Sequence, residues 1–228
     1  MVDYLFGVDI SPITQNIHLF YSAILLTVLI SLVAIVLGFA LGMLVGLARS
    51  SRSRLIRYPA TAYVDVIRGT PLLVQLFLWY FGLSVIGINI DPLPAAMLAV
   101  GFHSSAYQAE IVRGGIQSIP KGQTEAARAV GMTHMQSMRY VVLPQALRLI
   151  LPPLSNEFVI IIKDSSLAYA ISVAEITLVS YQLNARYYEP FTVFLFAALL
   201  YLILTYITST LMRTLERRVR IPGYGEQE

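Results

Sequence analysis

The sequence predicts an all-α integral membrane protein, and three observations predict it. Of 228 residues, 57% are hydrophobic and only 13% charged, with a mean hydropathy of +0.69, against about 25% charged in a soluble domain. Apolar runs of membrane-crossing length recur at approximately residues 19–48, 71–87, 93–112, 145–163 and 191–212. The basic residues cluster between them: segments 49–68, 113–148 and 213–220 hold 14 of the 16 Lys and Arg, leaving Lys163 and Arg186. If those three segments are cytoplasmic, five spans with the N-terminus out and the C-terminus in satisfy the charge bias. The whole chain, 1–228, reads as one transmembrane domain.

Composition also excludes function classes. Without cysteine there is no disulfide frame, thiolate metal site or cysteine nucleophile. The net charge of +3 is explained by basic loops beside apolar segments rather than by nucleic acid. Asp3 and Asp9, with no Lys or Arg near them, argue against a cleaved signal peptide. No G-x-x-x-x-G-K-[ST] phosphate loop, G-x-S-x-G elbow or H-E-x-x-H pair occurs, and His18, His103 and His134 are too dispersed for a helical metal site.

The first run would make roughly 45 Å of helix, longer than an about 30 Å hydrocarbon core, so it tilts or projects. Gly38, Gly42 and Gly46 recur every fourth residue on one face, a ridge that admits another helix at close range, from this chain or a second copy. After Arg49, Arg52, Arg54 and Arg57, residues 59–68 read as an amphipathic interfacial helix. Gly69 stops it, with Thr70 expected to cap the next helix and Pro71 to take its first position. The third span turns polar in its second half, with His103, Tyr107 and Glu110 on one face. The fourth contains Pro152-Pro153 and Asn156-Glu157 and ends at Lys163-Asp164, whose carboxylate can cap the start at Ser165 and Ser166. Residues 165–183 are too broken for an ordinary span and read as a short helix or re-entrant segment.

Residues 120–144 organise the rest. Thr133 and Gln136 form a capping-box pair, so a short helix starts just after Gly131, where one beginning near Pro120 can end; Pro144 then closes the unit. The outcome is a helix, a glycine corner and a second helix, a rigid elbow suited to docking on another protein.

Ionisable residues at membrane depth mark a passage or a structural pair. Glu157 lies about 18 Å into its span from Gln145, and His103 about 15 Å from Leu93. For Glu157 a substrate passage competes with a pair to Lys163 or to an Arg of another span. For Glu110 a ligand contact competes with an ion pair to Arg113, and His103 fits a satisfied core histidine as well as a site.

Glu125-Ala126-Ala127, Gly131, Val141 and Leu143-Pro144 resemble, in order and spacing, the E-A-A loop of the membrane subunits of bacterial and archaeal ABC importers. Val141 stands where that pattern usually has Ile. Further blocks resemble the polar amino-acid permeases of that family: Arg68 to Gln75, Ser105-Ala106-Tyr107 through Glu110, Arg113 to Gln123, Leu143 to Ala146, Asn156-Glu157-Phe158 and Lys163 to Leu167. The resemblance covers most of residues 20–215. It implies a type I ABC importer fold in which the elbow is a coupling helix, with Glu125, Ala126, Ala127, Gly131, Met132, Leu143 and Pro144 at the contact with a cytoplasmic ATPase. It also implies two such ATPases, which bind ATP and Mg, a second permease subunit (this chain or a close relative) and an extracytoplasmic binding protein docking around residues 87–92 and 164–190. The chain would then be a multi-pass translocator in the cell membrane of a bacterium or archaeon, with no cofactor or metal of its own and no covalent catalysis. Its expected substrate residues are Glu157, Asn156, Asp164, Glu110, Tyr107, His103 and Lys163. A secondary transporter is the alternative, although the internal inverted repeat it would normally show is absent.

Overall fold

The computed structural model describes residues 4–5 and 8–219; Asp3 and Arg220, used in the charge arguments above, lie outside the described residues. A two-residue antiparallel pair, β1 (Tyr4–Leu5) and β2 (Val8–Asp9), precedes the helices. Then come α1 (Ser11–Thr14), α2 (Ile17–Arg49), α3 (Arg54–Gly69), α4 (Leu72–Phe77), a π turn (Leu78–Gly82), α5 (Leu83–Val85) and α6 (Pro92–Gln117). The second half comprises α7 (Lys121–Ala129), α8 (His134–Ser137), a second π turn (Met138–Val142), α9 (Leu143–Asp164), a 3₁₀ segment (Ser165–Ile171), α10 (Ile176–Tyr187) and α11 (Pro190–Val219).

Among the described residues, three helical stretches are long and apolar enough to cross a membrane: Ile17–Arg49, His134–Ile171 and Pro190–Arg218. A fourth follows if Arg54–Gly69 and Leu72–Val85, bent by 104° to one another, form one broken span. With 26 residues, α6 is long enough but too polar to join them. Its position removes the need for apolarity, because it is the centre of the bundle, packed on α2, α3, α4 and α9. Ala95, Ala96, Ala99, Ser104, Ser105, Gln108 and Ala109 on it are all buried.

The glycine ridge of α2 lies against α6 of the same chain. A Cβ at Gly42 would stand 2.7 Å from Cβ of Gln108, and one at Gly46 would stand 2.7 Å from Cβ of Val112 and 2.8 Å from the Ala109 carbonyl. The close approach that the spacing predicts is therefore made within the chain, and the ridge gives no argument for a second copy.

Three local expectations are corrected. Thr70 does not cap the next helix: Pro71 occupies the cap position, while the Thr70 hydroxyl donates back to the carbonyls of Val66 (3.0 Å) and Ile67 (3.3 Å). It closes α3, whose final carbonyls lack helical donors. Pro144 does not close the elbow either. Helix continues from His134 to Ile171, because the π turn just before Pro144 re-registers the backbone where proline supplies no N–H and its ring would crowd the preceding turn. Asp164 makes no cap; Ser165 donates instead to the Ile162 carbonyl at 2.7 Å.

These contacts make Gly46→Leu a test of the α2–α6 packing. The added side chain meets Val112 and the Ala109 backbone, so it should destabilise the protein by about 1–3 kcal/mol, read as a lower unfolding midpoint in detergent. Gly114→Ala, where nothing lies within 4 Å of the new Cβ, should leave the midpoint unchanged or raised. Equal midpoints for Gly46→Leu and the unsubstituted protein would contradict the packing argument.

Candidate functional site

Two regions collect the residues that the sequence singles out. The first is the elbow of α7 and α8. Gly131 turns the chain with φ of +88°, a left-handed conformation that glycine adopts without a Cβ penalty. The turn is closed by Gly131 N–H to the Arg128 carbonyl (3.0 Å) and Met132 N–H to the Ala127 carbonyl (3.1 Å). The expected capping box is present in both directions: Thr133 N–H donates to Oε1 of Gln136 at 2.8 Å, and Gln136 N–H donates to Oγ1 of Thr133 at 3.3 Å.

Ile119, Val142 and Ala146, with Ile116, Met138 and Leu149 against them, root the elbow in the bundle. Ala127 is buried, whereas Glu125, Ala126, Gly131 and Pro144 are exposed and Met132 and Leu143 half-buried. Around the corner the large apolar side chains of Val130, Met135 and Tyr140 are also exposed. The tip is thus rigid at its base and presents apolar groups beside an unpaired acid, a composition suited to a protein contact.

The second region is built on α6. Glu157, 6% exposed, accepts a hydrogen bond from the Ser104 hydroxyl (2.8 Å), which in turn accepts one from Nε2 of Gln108 (2.9 Å). Among the described residues, Glu157 pairs with neither Lys163, which is exposed, nor any Arg. One residue before Ser104, Nδ1 of His103 lies 3.3 Å from Oε1 of Gln75 and its ring 5.1 Å from that of Tyr107. The Arg68 guanidinium lies over the Tyr107 ring, 5.1 Å from its centroid. Asn156 is exposed beside Glu157.

Glu110 stands apart from this cluster. Its two carboxylate oxygens take Arg49 and Arg113, so it ties the end of α2 to α6; the ion-pair alternative describes it, with one partner, Arg49, that spacing along α6 could not reveal.

Sequence reasoning missed four polar contributors. Gln75 was visible only as an amide inside a span, yet Nε2 donates to the carbonyls of Ile67 (2.8 Å) and Thr70 (3.1 Å). It clamps the corner between α3 and α4 and presents Oε1 to His103. Arg68 was legible only as the end of α3, and Gln108 only as part of a polar stretch. Glu175 was not singled out at all. Fully buried, it caps α10 by accepting from the N–H groups of Thr177 (3.0 Å) and Leu178 (2.9 Å) and takes the Tyr201 hydroxyl of α11 at 2.5 Å. An acid placed just before Ile176-Thr177 was the available signal.

Comparison with known proteins fits this architecture. Residues 38–221 match the family model described as binding-protein-dependent transport system inner membrane component. The chain is 40% identical over 194 residues to the L-cystine transport system permease protein of Bacillus subtilis (strain 168), covering 85% of this chain and 83% of the relative. It is 39% identical over 215 residues to the glutamine transport system permease protein of Escherichia coli (strain K12), covering 93% and 98%. Among solved structures, a chain of an amino acid ABC transporter crystallised with histidines superposes with a TM-score of 0.86 at 40% identity, over 92% of this chain and 99% of that one. The chain belongs to the family of inner-membrane components of binding-protein-dependent transport systems. It is an ABC importer permease, a translocator subunit, and the secondary-transporter alternative falls.

The Glu175 network generates a stability prediction. Tyr201→Phe keeps the ring and removes the hydrogen bonds of its hydroxyl with the buried Glu175 carboxyl group and the Thr177 hydroxyl, so unfolding should become easier by about 1–3 kcal/mol. Thermal unfolding of the purified protein checks it, and an unshifted midpoint would mean that the hydroxyl contributes nothing.

Proposed function

We propose that this chain is the membrane-spanning subunit of an ATP-driven importer of polar amino acids, working with a second permease subunit that is either another copy or a close relative. The rigidly rooted E-A-A elbow carries the reading: Glu125, Ala126, Gly131 and Pro144 on it are exposed, and its shape suits a contact outside the bundle. On this reading five spans cross a bacterial cell membrane, the second made by residues 71–87 after an interfacial α3 and the third by α6, with the N-terminus outside and the C-terminus inside. Two cytoplasmic ATPase chains, which bind ATP and Mg, seat on the elbows. Their closure on ATP moves the elbows as levers and switches the spans from inward-open to outward-open; hydrolysis resets them. A substrate-loaded binding protein docks on the opposite end, around residues 87–92 and 164–190.

Names of the relatives, which transport cystine and glutamine, support a polar amino acid as cargo. Glu157 would hold the substrate's ammonium or a cationic side chain, directly or through Asn156, with His103, Tyr107, Asp164 and Lys163 around the passage. Arg68, positively charged and without an ion pair among the described residues, suits the carboxylate of the same zwitterion. Glu110 is left out because two arginines already occupy it.

Three substitutions test the reading at its two separate ends. Gly131→Glu or Glu125→Lys should leave the protein inserted while abolishing both retention of the ATPase subunit and uptake; normal transport in either would remove the elbow as the coupling site. Glu157→Gln keeps the shape and removes a charged hydrogen bond worth about 1.5–3 kcal/mol. Uptake should therefore weaken about tenfold or more, with assembly and basal ATPase activity near normal. Unchanged uptake would return Glu157 to the scaffold.

A further inference from the structure

At the elbow end of the bundle, α9 and α11 enclose a pocket of about 320 Å³ lined by Arg148, Leu151, Pro152, Arg213, Glu216 and Arg217. Arg213, Glu216 and Arg217 share one face of α11 at three- and four-residue spacing, and Arg148 faces them from α9. None of the three guanidinium groups has a carboxylate partner among the described residues; Arg213 donates only to the Thr210 hydroxyl, at 3.2 Å. Three positive charges and one negative leave the pocket with a net charge of +2. Cations gathered in a concavity in excess of its one carboxylate repel one another unless a further anion joins them.

Two apolar crevices flank this pocket. One, of about 210 Å³, is lined by Phe39, Leu147, Leu151, Leu154 and Leu215, and so shares Leu151 with the basic pocket. The other, of about 400 Å³, runs between α2, α9 and α11 and includes Leu32, Phe158, Leu204, Leu211 and Met212, the last immediately before Arg213. Large apolar side chains along α2 and α11, among them Leu25, Leu32, Leu202 and Tyr206, are exposed and face hydrocarbon when these helices span a bilayer.

We propose that the seam between α9 and α11 is a binding site for an anionic phospholipid, with its phosphate among Arg148, Arg213 and Arg217 and its acyl chains in the two crevices. The composition is that of a headgroup site: a basic pocket between spanning helices at the membrane surface, sharing Leu151 with one apolar crevice and next to the other through Met212 and Arg213. A free phosphate would use the arginines and leave the crevices unused. The site lies a few residues beyond Pro144, where the elbow joins its span, so a lipid seated there braces α9 against α11 next to the elbow.

The test is lipid binding to the purified full-length protein, followed by native mass spectrometry and by unfolding midpoint. Dioleoylphosphatidylglycerol should bind about tenfold or more tightly than dioleoylphosphatidylcholine or dioleoylphosphatidylethanolamine and raise the midpoint, while millimolar inorganic phosphate should neither displace it nor stabilise the protein. The combined variant Arg148→Gln, Arg213→Gln, Arg217→Gln should bind the anionic lipid no better than the neutral ones. Leu215→Trp, which crowds the smaller crevice and leaves the charges in place, should also weaken it. Equal binding of anionic and neutral lipids by the unsubstituted protein, a result that needs no variant, would overturn the proposal. So would full retention of the anionic lipid by the triple variant, or its displacement by phosphate alone.

Discussion

The structure depends on how closely α2 can approach α6. Glycines at positions 38, 42 and 46 let the two backbones come within a distance at which any side chain would collide, and that approach allows a helix as polar as α6 to sit at the centre of the bundle. Ser104, Ser105 and Gln108 are then removed from hydrocarbon by their neighbours instead of by their own apolarity. The Glu110 carboxylate bound to Arg49 fixes the same pair of helices at their charged end. Without the ridge, the polar groups of α6 would meet lipid at a cost of a few kcal/mol for each ionisable one.

A second constraint acts at the elbow. A proline inside a helix normally breaks or kinks it, yet helix runs from His134 through Pro144, Pro152 and Pro153 to Ile171. The π turn at Met138–Val142 makes the first of these compatible with a continuous rod. The consequence is that the short helix after the Gly131 corner is continuous with α9, with no break at Pro144 between the elbow and the helix that carries Glu157.

Much of this was legible in the sequence because it depends on local chemistry. The Gly131 corner and the Thr133–Gln136 box are decided by residues within four positions of each other, and the helices of α2, α9 and α11 by apolar runs. What the sequence could not reveal were pairings across the fold. Whether the glycine ridge meets this chain or another, whether Glu110 meets Arg49, and what Gln75 holds are settled by helix packing, which leaves no trace in spacing. The Thr70 and Pro144 expectations failed for a related reason: each residue has two chemically sound uses, and the neighbouring backbone selects between them. Glu175 escaped notice because its partners, apart from the amides of its own helix, come from α11.

The two buried acids of the bundle show how partner number separates a scaffold from a site. An ionised carboxylate offers about four lone-pair positions. Glu175 fills three of them, with the amides of Thr177 and Leu178 and the Tyr201 hydroxyl, and its job of capping α10 and tying it to α11 explains every contact it makes. Glu157, at nearly the same burial, has Ser104 alone among the described residues. A buried carboxyl with most of its accepting capacity unused is costly to keep, and Glu157 forms no salt bridge among the described residues that would account for it. The exposed Asn156 and the unpaired Arg68 nearby carry the complementary groups for a zwitterion. Hence the same physical rule that assigns Glu175 to the framework favours Glu157 as the residue whose remaining partner arrives with the cargo.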